Sequence, residues 1–204
     1  MQATTCAGME VINLDDTSQR IIDAAMHLIR DKGYIATTTK DIAKKAGVNE
    51  CTLFRKFQNK KDIVLKGISQ EKWRGNISAN IFKNVVWDLK PDLEMFMREY
   101  MNRITVDFVN LSIGLRAPQI YEETAPFIMK IPQTFLSSLI SYFEQMKEKE
   151  KIIDGDFENM AMTFFSATFG YTFLHASFGE KLSTKKQEDF IKESVKFFIQ
   201  GISF

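Results

Sequence analysis

The chain has 204 residues, enough for one large domain or for a small domain and a larger one, with a buried core that needs no disulfides or metals. Apolar residues make up 45% and charged residues 26%, which excludes a disordered or collagen-like chain. Two cysteines, Cys6 and Cys51, are too few for a disulfide framework, so we expect a reducing, cytoplasmic location. Residues 1–16 have no basic stretch ahead of an apolar run, and we expect a flexible leader rather than a secretory signal.

Positive charge is concentrated in the first third of the chain. Residues 17–74 hold 13 lysines or arginines against 6 acidic residues, whereas residues 75–204 hold 14 against 17. The second region also holds 21 of the 25 aromatic residues. A localised basic region is typical of phosphate binding, even where the net charge of the whole chain is only +1. The sequence therefore predicts a small basic domain followed by a larger aromatic-rich one.

Apolar residues recur at helical spacing along the chain without an alternating strand pattern, so we expect an all-α fold of about nine helices. In the basic region four helices are delimited by residues that favour helix ends. These are Thr17 and Gly33 for the first helix, Thr38 and Gly47 for the second, Asn49 for a third from Glu50 to about Phe57, and Asn59 for a fourth that begins at Lys60.

Prolines and capping residues divide the aromatic-rich region in the same way. They are Pro91 at the first position of one helix, Pro118, Pro126 and Pro132 as interruptions, Asp156 as the cap of the next helix, and Thr184 with Gln187 as the capping box of the last. We expect the interrupting prolines to separate helices, because proline lacks the N–H that a helix interior needs.

An uncharged stretch of 21 residues, Asn159–Gly179, is long enough to cross a bilayer. It contains seven polar groups, and no lysine or arginine stands at its start. We therefore expect a helix that protein buries on most sides, rather than one that spans a membrane.

The segment 37–60, TTTKDIAKKAGVNECTLFRKFQNK, carries the most specific pattern. Gly47 is expected to turn the chain sharply between two short helices by taking a left-handed conformation. The inner face of the second helix would be buried by Val48, Leu53 and Phe57. Its outward residues would be Glu50, Cys51, Thr52, Arg55 and Lys56. This pattern predicts a helix-turn-helix at about 38–57, whose second helix enters the major groove of DNA. The alternative is an ordinary helical hairpin with a solvated basic face.

The longer run 21–64 closely resembles the DNA-binding domain of the tetracycline-repressor (TetR) family. The matching pieces are Ala24-Ala25, Gly33-Tyr34, Thr37-Thr38, Ile42-Ala43, Ala46-Gly47-Val48, Thr52-Leu53-Phe54, Phe57, Lys60 and Ile63. The resemblance implies a homodimeric transcriptional regulator, usually a repressor. It also implies three regions: a leader at 1–16, a DNA-binding domain at 17–62, and a ligand-binding and dimerisation domain at 63–204.

The resemblance also implies roles for eight residues. Thr38, Thr52, Phe54, Lys56 and Lys60 fall at positions that contact the DNA backbone, and Glu50, Cys51 and Arg55 fall where bases are contacted. Backbone N–H groups at the starts of the second and fourth helices would add phosphate contacts. This sequence departs from the family at two of these positions. Phe54 replaces a common tyrosine and loses a hydroxyl, and Cys51 replaces a common glycine. Arginine at position 55 suits guanine.

The aromatic-rich region predicts a pocket and a partner surface. Sixteen phenylalanines among 130 residues exceed what helix packing needs, so we expect a largely apolar pocket for a small hydrophobic effector. Its expected lining is Phe96, Tyr100, Phe108, Phe165 and Phe169. The two-fold interface of a homodimer is expected around Ser166–Gly170 and at Ile191, Val195 and Phe198.

No pattern in the sequence supports catalysis, a cofactor or a metal. His27 and His175 have no Cys, His or carboxylate neighbours at ligand spacing, and there is no phosphate-binding glycine loop or nucleophile elbow. We therefore predict a non-enzymatic, ligand-responsive regulator that binds a palindromic double-stranded DNA operator, with a long fourth helix transmitting the ligand signal. A helical protein–protein adaptor with a basic face is the first alternative, and an enzyme using the aromatic pocket is the second.

Overall fold

The computed structural model describes residues 15–73 and 79–202 of the chain. Every regular element in this part is a helix, which confirms the predicted all-α fold. The α-helices are α1 (Asp16–Ala36), α2 (Thr39–Ala46), α3 (Glu50–Lys56), α4 (Lys60–Ser69), α5 (Leu89–Arg103), α6 (Val106–Gly114), α7 (Tyr121–Glu148), α8 (Phe157–Phe178) and α9 (Gln187–Ile202). Short 3-10 helices lie at Glu71–Trp73, Ala79–Asn84 and Gly179–Lys181.

The starts of α2, α3 and α4 and the end of α2 follow the predicted capping residues, whereas both ends of α1 differ. Gly33, predicted to end the first helix, lies inside α1, where its left-handed φ of 81° kinks the helix. Thr38, Asn49 and Asn59 each accept a hydrogen bond from a backbone N–H in the first turn of α2, α3 and α4. The predicted cap at Thr17 is wrong, because α1 begins earlier. Its N-cap is Asp15, whose carboxylate accepts a hydrogen bond from the Ser18 N–H at 2.9 Å.

Two of the three prolines predicted to interrupt the chain lie inside a helix, whereas Pro118 lies between α6 and α7 as predicted. Pro126 and Pro132 both lie inside α7, so the predicted breaks at these positions are wrong. Burial of Ile131 and Phe135 against the neighbouring helices outweighs the lost backbone hydrogen bonds. Pro91 is the third residue of α5 rather than the first, since Asp88 caps that helix.

The last helix also begins later than the sequence predicted. α9 starts at Gln187, so Thr184 does not cap it and the predicted capping box is wrong. Asp156, in contrast, caps α8 as predicted, through a hydrogen bond from the Asn159 N–H.

Two hydrophobic cores organise the described part of the chain. The first joins α1–α4 to the end of α6 and contains Ile21, Ile29, Leu53, Ile63 and Leu111. The second joins α5, α7, α8 and α9 and contains Phe96, Tyr100, Phe135, Phe143 and Phe164. α4 packs into the first core through residues as late as Ile68, so this core extends beyond residue 62.

The two cores meet where α6 crosses α1. Gly114, the last residue of α6, lies so close to α1 that an added Cβ atom would be 2.4 Å from the carbonyl oxygen of Ile29. At the other end of the contact, the Arg30 guanidinium donates to the Asp107 carboxylate at 2.8 Å. An ion pair between Lys61 and Glu123 also joins α4 to α7. α6 and α7 therefore rest directly on the first core.

Each core has one tryptophan at its edge. The Trp73 ring lies edge-on to His27 at 5.0 Å, and its Nε1 donates to Asp23. The ring of Trp87 stacks on that of Tyr142 at 6.0 Å. The backbone of Trp87 has a left-handed φ of 60°, which residues other than glycine rarely adopt.

A buried carboxylate holds the turn that contains Trp87. Asp92 is only 1% exposed and accepts hydrogen bonds from the Val86 and Asp88 N–H groups and from the Tyr142 hydroxyl at 3.0 Å. Burial, together with the negative charge of Asp92, raises the pKa of Tyr142 well above its ordinary value. Tyr142 therefore stays a hydrogen-bond donor and keeps this turn in place.

The uncharged stretch Asn159–Gly179, which is long enough to cross a bilayer, forms most of α8. Among residues 15–73 and 79–202, no helix is long and apolar enough to cross a membrane.

Candidate nucleic-acid interface

The turn between α2 and α3 is built by local interactions. Thr38 and Asp41 form a capping box at the start of α2, and Gly47 ends this helix with the predicted left-handed φ of 69°. The Val48 N–H then donates to the Ala43 carbonyl at 3.0 Å and closes the turn. Hydrogen bonds from Lys32 and Thr38 lower the pKa of Asp41 to about 2, so this carboxylate keeps its charge at neutral pH. The sequence of this segment therefore fixes its own backbone.

α3 buries one side and presents the other to solvent. Leu53 and Phe57 are 0% and 2% exposed, and Val48 packs beside them. The five residues predicted to point outward are accessible: Cys51 and Arg55 are exposed, and Glu50, Thr52 and Lys56 are partly exposed. Phe54, which the family resemblance assigned to the DNA backbone, is also exposed. Their assignment to bases or to backbone stays a prediction. The geometry is that of a helix-turn-helix with an open recognition helix.

Glu50 is held in place by a residue that the sequence did not single out. The Thr39 hydroxyl donates to the Glu50 carboxylate at 2.9 Å and joins α2 to the first turn of α3. The carboxylate keeps free lone pairs and can still accept from a base amino group. Only its position beside the capping residue Thr38 hints at this role of Thr39.

Lys60 has a structural role that competes with its predicted phosphate contact. Its ammonium donates to the carbonyl oxygens of Tyr34 at 2.7 Å and Thr37 at 2.6 Å, and it lies 3.9 Å from the centre of the Tyr34 ring. Burial lowers its pKa. The side chain thus caps the carboxyl end of α1, which leaves the backbone N–H of Lys60 as the group best placed for a phosphate.

Replacing Lys60 by alanine is expected to destabilise the fold by about 1.5–3 kcal/mol, since the hydrogen bonds from a charged donor to the carbonyls of Tyr34 and Thr37 are lost. Thermal unfolding of Lys60→Ala measures the loss, with Lys44→Ala as the control because Lys44 is exposed on α2. Equal melting temperatures for both variants would contradict the capping role.

Lys56 is also paired, but at the surface. Its ammonium contacts the carboxylate of Asp15, the N-cap of α1, and the two side chains are 29% and 53% exposed. The hydrogen bond from Lys56, followed by that from the Ser18 N–H, holds the pKa of Asp15 below its ordinary value. The sequence could not show this pair, because the partners are 41 residues apart.

The residues predicted to line a pocket belong largely to the second core. Phe96, Tyr100 and Phe165 are 0%, 1% and 7% exposed, whereas Phe108 is partly buried and Phe169 is 37% exposed. The rings of Tyr100, Phe165 and Phe169 form a chain with centroid separations of 5.4 and 5.8 Å. An effector that enters here has to move side chains that pack the core.

A large groove lies elsewhere, between α8 and α9. Its volume is about 640 Å³, and its apolar lining includes Met97, Met160, Phe164, Phe197 and Phe198. None of the five predicted pocket residues lines it.

The same two helices carry the predicted partner surface, which needs one correction. Ile191 and Val195 are fully buried in the core of their own chain, so their predicted place at a partner interface is wrong. The open side of α9 carries Phe197, which is 65% exposed, and Gly201. The sequence shows an apolar stripe on α9, but its helical spacing does not indicate whether the stripe faces the chain's own core or a partner.

No metal site is apparent in the described ranges. Residues 15–73 and 79–202 contain no group of three His, Cys, Asp or Glu side chains that could hold a metal ion. His27 contacts Trp73, and Cys51 is a free, exposed thiol. The other cysteine, Cys6, lies outside the described residues.

Comparisons with known proteins agree with this geometry. The family profile described as "Bacterial regulatory proteins, tetR family" matches residues 21–66. The uncharacterized HTH-type transcriptional regulator YvkB of Bacillus subtilis is 34% identical over 92% of this chain and 97% of its own. The biofilm operon icaADBC HTH-type negative transcriptional regulator IcaR of Staphylococcus aureus is 24% identical over 82% of this chain and 88% of its own.

Solved structures of regulators share the fold. The transcriptional regulator FadR from Bacillus subtilis, in complex with stearoyl-CoA, superposes with a TM-score of 0.64 at 21% identity and covers 90% of this chain and 98% of its own. NalD of Pseudomonas aeruginosa, the secondary repressor of the MexAB-OprM multidrug efflux pump, gives 0.67 at 15% identity and covers 93% and 98%.

Proposed function

Since the chain belongs to the TetR family of bacterial regulatory proteins, and is therefore a DNA-binding transcription regulator rather than an enzyme, we propose that it acts as a homodimeric repressor. In this proposal α3 of each protomer reads one half of a palindromic operator, and an apolar small molecule releases the protein from it. The negative regulator IcaR among its relatives supports the sign of regulation. Its place of action would be the cytoplasm, where operator DNA is found.

Base reading is assigned first to Arg55. It lies in the last turn of α3 on the outward side and is exposed, whereas the lysine that follows it is paired with Asp15. A guanidinium can form two hydrogen bonds to guanine, which makes arginine the commonest specific reader of that base. Glu50 and Cys51 at the start of the helix complete the proposed reading surface.

Replacing Arg55 by alanine is expected to cost about 1–3 kcal/mol of binding free energy on the selected operator and to remove discrimination at one base pair. The reason is loss of a bidentate contact rather than of charge alone. Sequence selection from a random duplex library measures this, with Lys45→Ala on α2 as the charge-matched control. An Arg55→Ala protein that selects the same sequence at every position would refute the assignment.

Homodimerisation is supported by an apolar face that one chain leaves uncovered. On α8, Met162, Phe169, Leu174 and Phe178 are 37–54% exposed, and no charged residue occurs between Asn159 and Gly179. Exposed apolar side chains grouped on one helix are typical of surfaces that bind another protein. A second copy packed on α8 and α9 around a two-fold axis would cover it and would place two α3 helices on one duplex, about 34–36 Å apart.

The ligand signal is proposed to travel through α6 rather than through a long fourth helix. α4 has only ten residues and packs into the first core. α6 instead packs on α1 at Gly114 and at the Arg30–Asp107 ion pair, so a shift of α6 has to move or strain α1. Ligand binding that favours one position of α6 would then shift the populations of DNA-competent and released dimers.

An apolar effector is proposed because the second core is rich in aromatic side chains close to the surface. The rings of Phe169 and Phe173 stack at 5.9 Å beside the buried Phe165, and offer apolar contacts to a ligand that separates them. The related FadR structure contains stearoyl-CoA, whose acyl chain is apolar. A buried Phe165 also means that its replacement by alanine creates a core cavity, so it is a poor test of ligand binding.

The observation that carries the proposal is the open, basic α3 held on a capped turn at Gly47. Its test is selection of binding sites from a random duplex library, followed by fluorescence anisotropy in increasing salt. We expect a two-fold symmetric site and a steep salt dependence, because several phosphates are neutralised. Selection of no sequence, or binding that salt does not weaken, would contradict DNA regulation by this surface.

A further inference from the structure

Asp15 joins the amino end of α1 to the recognition helix. One carboxylate oxygen accepts from the Ser18 N–H at 2.9 Å and caps α1, while the other accepts from the Lys56 ammonium. Lys56 lies in the last turn of α3, next to Arg55. The cap of the first helix therefore places a negative charge at the surface proposed to approach DNA.

The Asp15–Lys56 pair is open to exchange. Its two side chains are 53% and 29% exposed, so a DNA phosphate can reach the ammonium from solvent. The carboxylate and a phosphate offer the ammonium the same thing, a negatively charged oxygen acceptor. The lowered pKa of Asp15 keeps its carboxylate ionised at neutral pH. Lys60 differs, because its partners are backbone carbonyls that cap α1.

We propose that Asp15 competes with DNA phosphate for Lys56 and thereby limits the affinity of the protein for every duplex, whatever its sequence. The inference rests on the DNA-binding function proposed above. When Lys56 turns to a phosphate, Asp15 loses its partner, and its charge then stands within a few ångströms of the phosphate and repels it. An acidic residue at this position sets the affinity of the regulator without touching a base.

The test is the Asp15→Asn variant, which removes the charge but keeps an N-cap of equal quality. Its binding is measured by anisotropy on a labelled mixed-sequence duplex of about 30 base pairs, between about 50 and 200 mM NaCl. We expect binding about threefold to tenfold tighter than that of the native protein at the lowest salt. The slope of log affinity against log salt should steepen by up to about 1.

Asp16→Asn is the matched control. Asp16 is the neighbouring residue and its side chain is 89% exposed, but its partner is Arg20 at 3.2 Å rather than Lys56. Asp16→Asn removes the same charge from the same helix end, and we expect it to change the affinity for the duplex by less than about twofold. In a Lys56→Gln background, the gain from Asp15→Asn should shrink to that of this control, because the competed ammonium is gone.

The outcomes separate the two proposals. If the native protein binds no duplex, the DNA-binding function fails and this inference fails with it. If the native protein binds but Asp15→Asn binds equally or more weakly, only the inference is overturned. An equal gain from Asp16→Asn would also overturn it, since net charge alone would then explain the effect. Asp15→Ser, which also caps helices, is measured beside Asp15→Asn; a gain in only one of them would overturn the inference, since both remove the charge.

Discussion

Replacing Gly170 by glutamate is expected to convert the protein into a folded monomer with at least about a hundredfold lower operator affinity. Gly170 lies in the uncharged stretch of α8. A Cβ atom added there would meet nothing within 4 Å in its own chain. The protomer should gain about 0.5–1 kcal/mol of helix stability from the loss of a glycine. In a two-fold dimer, however, two carboxylates would be buried without partners, which costs several kcal/mol.

Sedimentation and thermal unfolding together check this result. The expected species has the mass of one chain, 23.5 kDa, and melts as a cooperative unit. Gln133→Glu, which adds the same charge at an exposed position of α7, is the control and should stay dimeric. A Gly170→Glu protein that still sediments as a dimer would place the partner surface elsewhere. Val195→Asp is unsuitable for this purpose, because Val195 is buried within its own chain and its loss disrupts the protomer.

Replacing Gly114 by alanine is expected to lower the free energy of unfolding by about 2–3 kcal/mol, the upper part of the range of roughly 1–3 kcal/mol seen when a packed core is overfilled. The added methyl carbon would lie 2.4 Å from the Ile29 carbonyl oxygen. This neighbour is backbone in the middle of α1, so no side-chain rotation relieves the contact. α6 and α1 have to separate, and the ion pair between Arg30 and Asp107 is strained with them.

Thermal unfolding should show a fall of roughly 5–10 °C for Gly114→Ala, since 1 kcal/mol corresponds to about 2–4 °C in a chain of this size. Gly170→Ala is the matched control, because its methyl group enters open space and should leave stability equal or slightly higher. Equal melting temperatures for the two variants would show that α1 and α6 do not pack this closely in solution. The proposed route of the ligand signal would then lose its support.

Local signals explain why the segment from Thr38 to Lys60 could be predicted residue by residue. Thr38, Asn49 and Asn59 cap their helices through hydrogen bonds to backbone three residues away, and Gly47 turns the chain by its own conformational freedom. None of these features depends on distant parts of the chain. The outward face of α3 follows from them, because one buried stripe fixes the orientation of a seven-residue helix.

Tertiary contacts explain where prediction from the sequence failed. Pro126 and Pro132 indicate a break locally, yet α7 continues because its apolar side packs into the second core. The apolar stripe of α9 that contains Val195 was predicted correctly, but it faces the chain's own core rather than a partner. A helical period shows that a side is apolar and leaves open what covers it.

The candidate site shows the same division. Its outward residues were predicted, but the partners of the charged ones were not. Lys60 caps α1 across 26 and 23 residues, and Lys56 meets Asp15 across 41. These distances along the chain carry no periodic signal. The sequence therefore predicted which groups of α3 face outward, and the structure was needed to show which charged groups are already paired within the chain.

The two tryptophans at the edges of the two cores make the protein its own optical reporter. Trp73 contacts His27 and Asp23 of α1, whereas Trp87 stacks on Tyr142 with the Lys149 ammonium 4.4 Å from its ring centre. With only two such residues in the chain, substitution of either one leaves a single emitter. Emission from a Trp87→Phe protein follows the surroundings of α1, and emission from a Trp73→Phe protein follows the turn held by Asp92. Titrations with duplex and with an apolar compound can thus be followed separately in each half of the molecule, without an attached dye.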